Sequence, residues 1–367
     1  MLPDRALVIW RSAMLAGSET FVRNHGDALR DWRPTFLGAT RVSSPLAADS
    51  DVIAFPDTPE GRRAFLRLRL TGESPRLRSL LTRLRPRLVH AHFGGDGWLI
   101  SASAAELGLP LIVTVHGHDV TRQPDAPGLR GLRYRRNLRA VFERATVILA
   151  VSEHIRDKAV LRGADPAKVR VHYSGVPILP ATPAVEPWWD VAFVGRFVAK
   201  KGVDDLITAL AQLDRPRAVL IGSGPLVEKM RAYAAELGVD ATFLGAQEPA
   251  AVARELARSR VFVAPSKTAP DGDSEGLPTT ILEAGALGVP TVSTRHSGIP
   301  EAVVDGSTGL LGPEGDPAAL ASHIAALLAD DELRRRLGAG ARAHVATHFD
   351  LREQSRLLER LYDEVGG

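Results

Sequence analysis

The chain has 367 residues, 45% hydrophobic and 24% charged, a globular composition long enough for two packed domains rather than one core. It holds no cysteine, which excludes a disulfide framework, a thiolate metal site and a cysteine nucleophile. The formal net charge of +3 is unevenly divided, with 27 basic against 17 acidic side chains in residues 1–180 and 19 against 26 in residues 181–367.

The opening residues, Met1 to Arg5, lack the basic stretch and apolar run of an export signal. No segment approaches the roughly 20 apolar residues of a membrane span. A cytoplasmic protein is expected, at most peripheral at the inner membrane face. Ala6–Trp10 reads as a first buried strand, and Gly17-Ser-Glu-Thr-Phe21 precedes the first long helix. Nine arginines lie between Arg62 and Arg87, and Leu77, Leu80, Leu81 and Leu84 have the spacing of one buried helix face. Strand-like runs follow at Leu88–His92, Leu111–His116 and Thr146–Val151, with Ser152 where an N-cap belongs. Prolines 177, 180, 183 and 187 mark a linker. Strands then resume at Asp190–Gly195, Ala218–Gly222, Ala241–Gly245, Val261–Pro265 and Val289–Ser293, separated by helical runs starting near Val203, Leu226, Pro249 and Pro278. The tail from Leu351 to Val365 is an amphipathic helix with Leu351, Leu358 and Leu361 as contacts. This alternation predicts parallel α/β layers in two domains, 1–177 and 190–348, joined by a linker at 178–189, with a helix at 349–367 packing back toward the first domain.

The most informative stretch is Asp273-Ser-Glu275-Gly-Leu-Pro278-Thr-Thr-Ile-Leu-Glu283-Ala. Pro278 suits the first turn of a helix, where its missing N–H is no loss. Gly276 and Leu277 before it would offer backbone N–H groups to an anion, a diphosphate being the natural guest. Glu275 and Glu283 are placed to accept hydrogen bonds from hydroxyls on either side of that diphosphate, a sugar and a ribose. A nicotinamide enzyme would share the outline, but Gly222-Ser-Gly224 is followed by Pro225, Leu226 and Val227, so the Gly-x-Gly-x-x-Gly fingerprint is missing.

This stretch resembles the Glu-x7-Glu motif of the retaining GT-B glycosyltransferases, in particular family four. The resemblance continues in order at Phe193-Val-Gly195-Arg196 with Lys201-Gly202, at Ile221-Gly-Ser-Gly224-Pro225, at Pro265-Ser266 and at Gly298-Ile-Pro300-Glu301. It implies an α/β protein of GT-B fold, two doubly wound Rossmann-like domains with a cleft between them, the first on the acceptor side and the second binding a nucleotide sugar. It implies that Arg196 and Lys201 pair with the donor diphosphate and that Gly222 and Gly224 let the nucleoside approach the backbone. Gly276, Leu277, Pro278 and Thr279 would line the donor site, Glu283 would hold the ribose and Glu275 the transferred sugar. His116, ending Val113-Thr-Val-His116, matches the histidine that faces the donor sugar and its phosphate. Gly17, Ser18 and Glu19 correspond to the acceptor loop, with Ser18 where a second glycine is commoner. His92, in His90-Ala-His92-Phe93-Gly94, joins the acceptor side, and together with Ser-Glu-Thr-Phe it looks like a branch associated with surface-glycan assembly.

The implied activity is metal-independent, retaining transfer from a nucleoside-diphosphate sugar, UDP first and GDP second, to a small-molecule, glycan or lipid-linked hydroxyl acceptor. No cofactor beyond the nucleotide-sugar co-substrate is expected. His90 and His92 share a strand face, but no third ligand follows at metal-site spacing. Asp271-Gly-Asp273 imitates an Asp-x-Asp metal motif, yet stands just before the Glu-x7-Glu stretch, where the family needs no metal. The arginine run has two readings, a solvated face or peripheral contact with an anionic membrane. No aromatic platform accompanies it, so nucleic acid is not expected as a partner. Two alternatives stay open: a sugar-nucleotide epimerase on the same fold and a non-catalytic sugar-nucleotide-binding subunit.

Overall fold

A computed structural model describes residues 5–17, 19–178 and 186–367, so that Ser18 and most of the expected linker lie outside the described residues. The chain forms two units, one of Met1–Gly175 with Leu351–Gly367, the other of Val176–Asp350.

Unit 1 is built on seven parallel strands: β1 (Ala6–Met14), β2 (Arg33–Arg41), β3 (Val52–Ile53), β4 (Leu88–His92), β5 (Leu111–Val115), β6 (Val147–Ala150) and β7 (Val169–Val171). Their order is β3-β2-β1-β4-β5-β6-β7, so the winding reverses between β1 and β4. Loops leaving the carboxyl ends of those two strands flank a crevice, the place where doubly wound sheets carry their ligands. β1, β4, β5 and β6 are almost wholly buried, as parallel strands covered by helices on both faces must be. The helix Pro75–Leu84 buries Leu77, Leu80 and Leu81 and is capped by Ser74, and Ser152 caps the helix Glu153–Leu161. The nine arginines do not share one helical face. They fall on two helices, Pro59–Thr71 and Pro75–Leu84, and the turns after them, where Arg78 pairs with Glu106 and Arg87 donates to the Gly366 carbonyl.

The tail helix Leu351–Gly366 belongs to unit 1. It buries Leu358, Leu361 and Tyr362, each worth roughly 1.5–3 kcal/mol of apolar burial. Leu351, an expected contact, is only half-buried. Glu359 accepts the backbone N–H groups of Arg30, Asp31 and Trp32 at 2.7, 2.7 and 3.2 Å, which fixes the entry to β2. Tyr362 places its hydroxyl 2.6 Å from His90 Nδ1.

Unit 2 has six parallel strands: β8 (Trp189–Val194), β9 (Ala218–Ile221), β10 (Ala241–Gly245), β11 (Ser259–Ala264), β12 (Thr291–Thr294) and β13 (Gly309–Gly312). The order β10-β9-β8-β11-β12-β13 puts its reversal between β8 and β11. Its core joins Val191, Phe193, Leu206, Leu220, Val261 and Val263 from the sheet and the helix Val203–Leu210 to Ile324 and Leu327 of the helix Pro317–Ala329. Pro278, expected inside the first turn, instead occupies the residue before the helix Thr279–Ala286.

Candidate active site

In unit 2 the loops after β8 and β11 meet at the reversal point. The β8 loop turns through a short 3-10 segment, Ala199–Lys201, and Gly202, whose φ is +62 and where a Cβ would lie 1.9 Å from the Pro265 carbonyl oxygen. That turn presents two ammonium groups to one carboxylate. Lys201 Nζ lies 2.9 Å from Glu275 Oε1, and Lys200 Nζ lies 4.0 Å from Oε2. Lys200 also reaches Asp273 and the Ser274 carbonyl, both at 3.1 Å. The Lys201 contact is an ion pair without hydrogen-bond direction, so Oε1 takes no well-aligned donor. Burial opposes the charge on Glu275, yet Lys201 and then Lys200 outweigh it and hold the carboxyl down to about 2. The Glu275 N–H donates to His296 Nε2 at 3.1 Å, and His296 Nδ1 lies 2.7 Å from Glu314, which also accepts the Thr268 N–H.

Gly276, Leu277 and Pro278 are buried, and the helix Thr279–Ala286 starts without a side-chain cap, leaving its positive end available to an anion. Glu283, one turn in, is half-buried and its carboxyl makes no hydrogen bond or ion pair among the described residues; burial alone pushes that carboxyl up to about 7. The two glutamates of the motif thus sit in opposite electrostatic states. Arg196 is exposed and pairs with no carboxylate among the described residues. Gly222 and Gly224 have φ of +142 and +152, and a Cβ on them would strike the Gly195 carbonyl at 1.8 Å and the Phe197 carbonyl at 2.6 Å. Their first duty is therefore to seat the β9 loop against the β8 loop. A cavity of about 730 Å³ beside Phe197 is lined by Asp204, Tyr233 and Lys267, and none of the expected donor residues reaches it.

In unit 1, His92 Nδ1 and His116 Nε2 are 3.1 Å apart. Burial first, then the Arg11 guanidinium and the neighbouring imidazoles, drives both rings well below their ordinary value, so both are neutral. Phe21 and Phe93 pack on His116 at 4.7 and 4.4 Å between ring centroids. Asp119 accepts the N–H groups of Gly94, His116 and Gly117 at 3.0, 3.0 and 2.9 Å, tying the β4 and β5 loops together. His90 is occupied at both nitrogens, by Tyr362 and by Thr114. Gly17 is exposed at the tip of the loop after β1. Glu19 is buried, and both its oxygens go to Arg11, which also pairs with Asp96 and lies 4.3 Å over the Phe93 ring. Its carboxylate therefore holds the loop in place rather than facing outward.

Sequence reasoning missed Lys200, His296, Arg11 and Asp96. His296 stands two residues past the end of β12, close to the strand-end position that marked His116. Arg11 lies inside a strand longer than expected. Among the described residues no three His, Asp or Glu side chains gather as a metal ion requires.

Comparison with known proteins agrees with this layout. The profile of "Glycosyl transferases group 1" matches residues 181–344 and that of "Glycosyltransferase Family 4" matches residues 15–178. WcaL of Salmonella typhimurium, provisionally named a colanic acid biosynthesis glycosyltransferase, is 30% identical over 289 residues, 75% of this chain and 70% of that protein. D-inositol 3-phosphate glycosyltransferase of Corynebacterium efficiens is 32% identical over 318 residues, 76% of this chain and 71% of that one. The structure of Anabaena Alr3699/HepE in complex with UDP-glucose superposes with a TM-score of 0.80 at 19% identity, covering 98% of this chain and 99% of the other. The chain belongs to family four of the glycosyltransferases, group 1 type, and is a glycosyltransferase of GT-B fold.

Proposed function

We propose that the protein transfers a sugar, with retention at the anomeric carbon, from a nucleoside-diphosphate sugar to a hydroxyl acceptor in glycan or glycoconjugate assembly, without a metal. The observation that carries this reading is the pairing of an ionised Glu275, held by Lys201, with an uncapped helix start and a partnerless Glu283 one turn further on. A diphosphate at Thr279 would be met by the helix dipole, Arg196 and Lys201. Glu283 would then accept from the ribose diol and Glu275 from the transferred sugar. The acceptor oxygen bonds to the anomeric carbon on the face from which the phosphate oxygen departs, and the acceptor's proton passes to that phosphate. The same cations offset the charge of the leaving diphosphate, the work a metal does elsewhere. His116 would hydrogen-bond the sugar or its phosphate, and the loop at Gly17 would meet the acceptor.

UDP is the first candidate, since a protein of like fold holds UDP-glucose, and GDP the second. Calorimetric titration with UDP, GDP and ADP in EDTA tests the donor side, with Glu283→Ala as control. Selective binding of one nucleotide, lost in the variant, is expected. Binding that requires a divalent cation, or that survives the substitution, would overturn the site. Proton NMR of the first product formed distinguishes retention from inversion.

A further inference from the structure

Between β11 and the helix Thr279–Ala286, residues 265–278 form no strand or helix, so no ladder of their own fixes the backbone at Glu275. The two lysines attract its carboxylate, but attraction between charges acts equally in all directions. Direction comes from the loop after β12. The Glu275 N–H donates to His296 Nε2 at 3.1 Å, and the hydroxyl of Ser297, the next residue, donates to the Glu275 carbonyl. The peptide groups on both sides of one Cα are thus held by two consecutive side chains. A backbone N–H can only donate, so His296 Nε2 keeps its lone pair and the ring proton sits on Nδ1, 2.7 Å from Glu314 Oε1. The other oxygen of Glu314 accepts the Thr268 N–H at 2.7 Å, which ties this couple to the start of the same irregular stretch. Ser297 reaches its place with a φ of +52, a left-handed conformation that favours glycine. His296 and Glu275 are 2% and 7% exposed, so their bonds are sheltered from water.

We propose that His296, backed by Glu314, and Ser297 are positioning residues that aim the Glu275 carboxylate at the transferred sugar. The assignment rests on the reading of Glu275 as the group that meets that sugar. His296 does not meet it directly, because one ring nitrogen goes to a peptide N–H and the other to a carboxylate. A loop whose only task was stability would place glycine at 297; the serine keeps the strain and returns a hydroxyl to Glu275.

The test has two arms, both on the full chain. Nitrogen-15 NMR without ligand should show His296 protonated on Nδ1 alone, and a proton on Nε2 would overturn the couple. Calorimetric titration then compares UDP with UDP-glucose and UDP-galactose, and GDP with GDP-mannose. His296→Leu and Ser297→Gly should each lower the affinity for the sugar nucleotide that binds by roughly tenfold relative to its nucleotide, leaving the nucleotide's own affinity unchanged. Glycine suits the φ at 297, so Ser297→Gly should keep its melting temperature while losing sugar affinity. His296→Gln, which still offers an oxygen to the Glu275 N–H and an amide to Glu314, should recover most of what His296→Leu loses. An unchanged ratio in both variants, or equal loss of nucleotide and sugar nucleotide, would overturn the inference and leave the donor reading standing. A parent that binds neither nucleotide would sink the donor reading, and this inference with it.

Discussion

Glu283 combines a cost and a use in one carboxyl group. Its folded value of about 7 lies above the ordinary 4.5, so between those limits the folded chain holds a proton that the unfolded chain has released. Stability therefore falls as pH rises from 4.5 to 7. Glu283→Gln should leave stability unchanged at acid pH and raise it by roughly 1–3 kcal/mol at pH 8, read by denaturant unfolding, while nucleotide binding is lost. In the parent, nucleotide binding should tighten as pH rises toward 7 and release a proton, visible by calorimetry in buffers of different ionisation enthalpy. The His92–His116 contact also couples two protons, since one ring nitrogen must donate and the other accept. Nitrogen-15 NMR of the two rings should show one of two matched states, both protons on Nδ1 or both on Nε2, and His92→Leu should release His116 from that match.

The loops joining strands to helices set the site, and here small residues and buried charges do different work. Gly222→Ala would push the β9 loop off the Gly195 carbonyl, so a loss of roughly 2 kcal/mol or more is expected, with donor affinity falling alongside it. Lys200→Met would strand Asp273 without its cation and leave Glu275 to Lys201 alone, at about 3 kcal/mol; an unchanged melting temperature would contradict the role given to Lys200. Much of this layer was legible beforehand. The long helices, most strands and the Glu-x7-Glu stretch announce themselves by period and punctuation. β2 did not, because Pro34 and Gly38 interrupt Arg33–Arg41. Both are tolerated for reasons that exist only in the fold: Pro34 pairs with Leu7 of β1 but meets no strand on its other side, because β3 pairs only with Leu37 and Gly38, and Gly38 makes room for Met14. β13 hid behind its shortness, two leucines between glycines. Lys200 and Lys201 are adjacent in the chain and differ only in where a 3-10 turn aims them. Glu19 was read as an acceptor group because its buried partner, Arg11, stands eight residues away on a strand.

For the molecule as a whole, acid should act unequally on the two units. His25 and His90 in unit 1 are held neutral with values of about 3, and His172 of about 4, in each case chiefly by burial. Their folded values lie below the ordinary 6.5, so the unfolded chain binds protons first and stability drains away as pH falls below 6.5. Each imidazole removes about 1.4 kcal/mol per pH unit until its own folded value is reached. Unit 1 should therefore open near pH 5 while unit 2 persists, which hydrogen exchange measured unit by unit would detect; simultaneous opening would contradict it. The return of Leu351–Gly366 to unit 1 also reverses the order in which the two halves mature on the ribosome. Unit 2 has all its residues once Asp350 has emerged, but β2 has no Glu359 to anchor its entry, and His90 no Tyr362, until the last helix follows. The half that is translated first is thus completed last, and a nascent chain stalled at Asp350 should expose a folded second half behind an unfinished, protease-sensitive first.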